Sequence, residues 1–295
     1  MTLQTIRLVF FSGTGGVKRI AAAFEQAFIN CGLTVIWHDL DRSRMNQRKL
    51  QPGAEAAPAD LTLLLFPLHA FDAPDPVYDW IHQNRFEGQT FAVISASGGG
   101  EAWPNTGCRN KCIRLLEEKG ARVVYERMLC LPSNWVFAVS DDAAAWLLKA
   151  IPHKASLIVD DLAAGKTRRT AGKMSPARAF VTRLEKSGAR QFSQEISVDQ
   201  NCSGCGLCAA HCPVENIALE NRRPVFHDHC VMCFRCIYAC PSHAMHSSNF
   251  MVLKTGYDLN AVEKHMQSAD LQPIEQCCKG WLWVGIREYL LNDEK

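Results

Sequence analysis

The chain has 295 residues, 47% of them hydrophobic, with 32 Lys and Arg against 30 Asp and Glu for a formal net charge of +2, and fourteen cysteines. That length accommodates a full globular domain and a smaller one, and the near-balanced charge excludes the strongly basic face of a nucleic-acid binder. The apolar runs are far shorter than the ~20 residues of a membrane span and no secretory signal is visible, so a cytoplasmic protein with no nucleic-acid or membrane partner is expected, its thiols reduced or metal-bound rather than paired.

From Ile6 to Ser12 a β-branched and aromatic run ends in Gly13, Gly15 and Gly16, after which Ile20, Ala23, Phe24, Ala27 and Phe28 recur at helical spacing. Strand, glycine turn and helix are predicted there. Further strands are expected over 33–40, 61–66, 91–96 and 122–129, and helices over 75–84, 110–119 and 141–164. Alternating strands and helices imply a parallel sheet covered on both faces. Residues 1–165 form the first expected domain, and the basic stretch 166–194 a linker in which Phe180, Val181 and Leu184 make an amphipathic turn or two. A cysteine-dominated unit covers 195–250, and the tail 251–295 carries Trp281, Trp283, Ile286, Tyr289 and Leu290.

The cysteine unit contains one motif twice. Cys202-Ser-Gly-Cys205-Gly-Leu-Cys208-Ala-Ala-His-Cys212-Pro213 is followed at identical spacing by Cys230-Val-Met-Cys233-Phe-Arg-Cys236-Ile-Tyr-Ala-Cys240-Pro241. Three cysteines two residues apart wrap three corners of a cubane, and the fourth, followed by proline, ligates the other cluster. Cys202, Cys205, Cys208 and Cys240 are therefore assigned to one [4Fe-4S] cluster, and Cys230, Cys233, Cys236 and Cys212 to a second. Paired zinc sites are the competing reading, but zinc ligands come as pairs across a longer spacer. Over 195–247 the segment closely resembles the bacterial two-cluster ferredoxins, which implies a pseudo-twofold α+β fold and one-electron chemistry at low potential.

The first strand ends in Ser12-Gly13-Thr14-Gly15-Gly16-Val17, just where a helix begins. Free amides and the helix dipole make this a phosphate site, with hydroxyls of Ser12 and Thr14 as further donors. Neither the P-loop nor the dinucleotide spacing is present. The loop resembles the FMN phosphate loop of flavodoxins, which implies a doubly wound α/β sheet of order 2-1-3-4-5. Val17 departs from that pattern where a last hydroxyl is expected; one lost donor, about 1 kcal/mol, weakens FMN binding without abolishing it.

The flavodoxin resemblance places the isoalloxazine ring between two further loops. One contains Pro67, Leu68, His69 and Phe71; the other contains Ser97, Gly98, Gly99, Gly100 and Trp103. Phe71 or Trp103 stacks on the ring in one reading and merely covers the sheet end in the other, and Gly98 or Gly99 offers a backbone contact to N5. The whole arrangement, with the segment Leu131-Pro-Ser-Asn134-Trp135-Val136, resembles the EFR1-type ferredoxin family, which adds Asn134 and Trp135 to the flavin contacts. The resemblance implies electron transfer between FMN, two [4Fe-4S] clusters and a redox partner protein. Two alternatives stay open: an FMN-dependent reductase acting directly on a small acceptor, and a flavin-free ferredoxin with a docking domain.

Overall fold

The structure is a computed structural model that describes residues 3–42, 58–101, 105, 107–170, 176–268 and 270–293, without the side chains of 176–178, 181 and 282. Five strands, β1 (Thr5–Phe10), β2 (Thr34–Asp39), β3 (Leu61–Pro67), β4 (Thr90–Ser97) and β5 (Arg122–Cys130), form one sheet. Its order is β2-β1-β3-β4-β5 and every pairing is parallel, a flavodoxin-like arrangement.

Alternation within each strand divides the core. Leu8, Leu63, Leu65 and Ile94 join Ile20, Phe24 and Phe28 of α1 (Gly16–Asn30) and Leu147, Ile151 and Ile158 of the helix at Asp141–Ala163. Val9, Leu64, Phe66 and Val93 face the other way, onto α2 (Asp75–Gln83) and α3 (Asn110–Glu118). The 141–163 helix is α4. Both sheet faces are thus buried, which explains the continuous apolar runs of β3 and β4.

Three features settle the rest of the chain around this sheet. First, the stretch expected to carry only a turn or two of helix is α5 (Pro176–Phe192). Phe180 and Leu184 are exposed on it, whereas Phe192 at its end is buried in an apolar cluster; polar anchors add to the hold, with Lys186 Nζ 2.9 Å from Asp72 and bonding the Ala73 carbonyl at 2.7 Å. Second, β6 (Ile196–Val198) pairs with β9 (Met245–Ser247), and β7 (Ile217–Glu220) forms a hairpin with β8 (Arg223–Phe226). The helical turns α6 (Leu207–Ala210) and α7 (Arg235–Tyr238) follow the two cysteine loops. Cys212, Val214, Ile217, Val231 and Cys233 of this unit belong to the same apolar cluster as α2 and α3. Third, the tail forms α8 (Leu259–Met266), α9 (Ile274–Cys277) and α10 (Val284–Leu291). Leu259, Cys278, Ile286 and Tyr289 complete the α1/α4 core.

Candidate functional site

Doubly wound sheets open a crevice where the strand order reverses. Here that point is the carboxyl end of β1 and β3, and a cavity of about 430 Å³ lies there, within the range of small-molecule sites. The β1–α1 loop contributes Ser12, Gly13, Thr14, Gly16 and Val17 to its wall. Pro67, Leu68, His69 and Phe71 come from the β3 end, Ser97, Gly98 and Gly99 from the β4 end, and Asn134 and Trp135 from the segment after β5.

Fourteen of the seventeen expected flavin-site residues thus line one cavity. Gly15 and Gly100 do not, for identifiable reasons. Gly15 caps α1 with φ 93°, and Gly100, φ 71°, sits against the Cys130 sulfur and the Gly285 carbonyl. Trp103 lies outside the described residues.

The loop is built to receive an anion. Ser12 Oγ accepts the Lys18 amide at 3.2 Å, and the amides of Gly13, Thr14 and Gly16 have no acceptor among the described residues. Unsatisfied donors at a helix amino terminus are what a phosphate pairs with. Asn134 Nδ2 reaches Thr14 Oγ1 at 3.3 Å, joining the post-β5 segment to the loop.

The β3 side of the cavity carries backbone strain. His69 and Asp72 exchange backbone hydrogen bonds of 2.9 and 3.1 Å across a two-residue turn, and its central residues Ala70 and Phe71 have φ 53° and 57°. Such turns ordinarily use Gly or Asn. Val136, β-branched and also at the wall, has φ 58°. Each left-handed non-glycine residue costs about 1–2 kcal/mol, and strain of this kind concentrates at ligand sites. His69 is drawn to the Val231 carbonyl, while its buried Nδ1 has no hydrogen-bond partner. Burial, with the Lys186 charge nearby, pulls its pKa down to about 4, leaving the ring neutral at pH 7.

The tail supplies wall residues that the sequence did not announce. Tyr257, whose hydroxyl bonds the Pro132 carbonyl at 3.0 Å, and Trp283 both face the cavity. Each lies far along the chain from the loops it meets, so no local signal marks it.

A second hollow, about 230 Å³, is lined by Cys202, Cys205, Cys208 and Cys240, the four thiols assigned to one cubane. Of the other four, Cys212 and Cys233 belong to the apolar cluster beneath the sheet and are each 8% exposed. Burial, then the neighbouring thiol charge of Cys233, pushes the Cys230 pKa up to about 12, and burial raises Cys233 to about 11. Crowded buried thiolates repel one another until iron supplies compensating charge, so this donor set fits a cluster. Backbone amides already point at the sulfurs: Asn216 N to Cys212 at 3.2 Å, Met232 N to Cys230 at 3.3 Å, Ala244 N to Cys240 at 3.4 Å.

The two loops solve the same curvature differently. Gly204 and Gly206 have φ 69° and 76°, whereas the equivalent positions of the second loop, Met232 and Phe234, have φ 52° and 60°. Side chains are kept there despite the strain, and Phe234 uses its own to pack edge-on against Phe192.

The second loop touches the cavity loop directly. A Cβ on Gly13 would stand 2.8 Å from the Cys233 Cβ, so only glycine permits this approach. Arg235 spans the junction: its guanidinium donates to the carbonyls of Ser12 and Gly13, to Asp41 Oδ2 at 2.7 Å and to the His211 carbonyl at 2.6 Å. Sequence reasoning passed it over, although it is the single charged residue inside either three-cysteine loop.

Comparison with known proteins agrees on the cysteine unit. Residues 195–241 match the 4Fe-4S dicluster domain family, and no curated protein matches the chain. Among solved structures it is similar to general stress protein 14 of Treponema denticola in complex with FMN, at 12% identity and TM-score 0.40 over 55% of this chain and 98% of that one. A Fusobacterium nucleatum flavodoxin mutant bound to flavin mononucleotide is similar at 13% identity and TM-score 0.38, over 56% and 98%. An archaeal flavodoxin gives 13% and 0.36, over 54% and 99%. The chain thus joins a parallel sheet of flavodoxin-like order to a segment, residues 195–241, that matches the 4Fe-4S dicluster domain.

Proposed function

We propose that this protein is an electron relay of the EFR1 type. It would hold FMN at the β1/β3 crevice and two [4Fe-4S] clusters in the two cysteine loops, and exchange electrons with a redox partner protein. When bound, the clusters supply one-electron steps, and FMN supplies storage for one or two electrons.

The observation that carries the reading is the contact of Gly13 with Cys233, which on this reading would bring the FMN phosphate loop against a cluster ligand. The free amides of Gly13, Thr14 and Gly16 receive the phosphate. Phe71 and Trp135 stand at the cavity wall to cover the ring, and Tyr257 and Trp283 narrow its access to water. Asn134 positions Thr14, and Tyr238 in turn accepts the Leu253 amide at 2.9 Å and donates to the Asn134 carbonyl at 2.8 Å.

One feature favours the alternative of direct reduction of a small acceptor. A cavity of about 320 Å³ shares Leu68, His69, Ala70, Asn134 and Trp135 with the flavin cavity and also reaches Cys230, Met232 and Glu185. Burial raises the Glu185 pKa. Turnover of a small quinone with no added protein would select that reading.

The relay is tested first by cofactor content. Anaerobically purified protein should contain about eight irons, eight sulfides and one FMN per chain. Eight irons with no flavin uptake after FMN is added would reduce the proposal to a ferredoxin with a docking domain.

A further inference from the structure

We propose that FMN binding depends on the second cluster, with Arg235 as the residue that couples them. The inference rests on the relay reading and adds to it an order of assembly: the flavin site is complete only after Cys212, Cys230, Cys233 and Cys236 hold their cluster.

Arg235 lies between two assigned ligands, Cys233 and Cys236, and its backbone therefore follows the loop that wraps the cluster. Its guanidinium is shared among four acceptors from three parts of the chain: Ser12 O and Gly13 O, Asp41 Oδ2, and His211 O. His211 precedes Cys212, the fourth ligand of the same set. Every group that fixes the fork on the ferredoxin side is thus adjacent to a ligand of one cluster.

On the other side, the fork determines where the phosphate loop's donors point. In a trans peptide the carbonyl and the following N–H are antiparallel. Holding the Ser12 and Gly13 carbonyls on Arg235 turns the Gly13 and Thr14 N–H groups away from the arginine. Both residues line the cavity, and neither amide has an acceptor among the described residues. Arg235 never touches the anion; it orients the amides that do.

Strain supplies the dependence on the cluster. Met232 and Phe234, at φ 52° and 60°, hold conformations that bulky residues leave unless the surroundings impose them. The first loop has glycines at both positions and keeps its curvature without that strain. Loss of the second cluster frees Met232 and Phe234 to relax, which moves Arg235, while Asp41, 1% exposed, retains a carboxylate shaped for the fork. A single ammonium in place of the guanidinium cannot serve four acceptors in this geometry.

The test uses the full chain, purified anaerobically and stripped of flavin with its clusters retained, and follows quenching of FMN fluorescence on titration. R235Q should keep its iron and sulfide yet bind FMN about tenfold more weakly, as expected for the loss of one to two hydrogen bonds' worth of orientation. R235K should behave like R235Q. C230S, which removes a ligand of the second cluster, should weaken FMN binding to a similar extent, and the double variant R235Q/C230S no further. R223Q removes a guanidinium that bonds the Asp199 and Val198 carbonyls at 3.0 Å and none of the four acceptors of Arg235; it should leave the FMN constant within about twofold. Iron-replete R235Q that binds FMN like the wild type overturns the coupling even if C230S misfolds. Wild-type protein that fails to bind FMN overturns the relay reading itself, a different result from tight binding that ignores Arg235.

Discussion

At the scale of single residues, the largest electrostatic commitment is Arg109, 1% exposed beneath the β4 end. Its Nε donates to Glu126 Oε2 at 2.7 Å and its Nη1 to Ser95 Oγ at 2.9 Å, and Nη2 pairs with Glu101 and reaches Thr170 Oγ1 at 3.2 Å. Coulomb attraction and four hydrogen bonds offset the cost of burying a cation here. Arg109→Met would leave Glu126, itself 2% exposed, with a charge whose chief partner is gone. Breaking such a buried pair costs about 3–5 kcal/mol, so the denaturant midpoint of the flavodoxin-like domain should fall steeply. Adding Glu126→Gln should recover part of the loss; strictly additive effects would show that the two side chains are not coupled.

At the scale of elements, the sheet was legible because buried parallel strands read as continuous apolar runs, and β3 and β4 are such runs. The 4Fe-4S segment was equally legible, since its cysteines are close in sequence. What stayed hidden depends on tertiary placement. α5 is held by Lys186 meeting Asp72 and Asp75, the latter at the start of α2, and by Phe192 buried against Phe234, partners that lie far off in sequence. Tyr257, Trp283 and Arg235 acquire roles only when remote segments converge. A smaller anchor of the same kind joins β1 to β3. Asp60 accepts the Gln4 and Thr5 amides at 2.8 and 2.9 Å, and these bonds, Thr5's first, lower its pKa. A carboxyl depressed in the folded state stabilises the fold above its unfolded pKa, about 3.9, and loses that contribution as pH falls through the lower folded value. Asp60→Asn should therefore be less stable than wild type at pH 7, with the gap closing below about pH 4. A gap independent of pH would assign the anchor to geometry alone.

At the scale of the molecule, the two cysteine sets differ in what they face. Cys212 and Cys233 are buried in the apolar cluster shared with α2 and α3, and Cys233 meets Gly13 of the β1–α1 loop. Cys205 is exposed, and Leu207 and Leu219 beside it are 41% and 43% exposed. Solvent-facing apolar residues beside a cluster held there would suit a transient protein contact, for which small interfaces suffice. On the relay proposed above, electrons would pass from crevice to buried set to exposed set, with the partner docking at the last. Cys205→Ala tests that order. It should lower iron to about four per chain while FMN and the second set's absorbance persist. Reduction of a one-electron protein acceptor such as a cytochrome by the photoreduced variant should then slow by about tenfold or more, because the exposed end of the path is gone. An unchanged rate would mean that electrons leave from the crevice side, where Trp135, 36% exposed, would become the docking residue to examine.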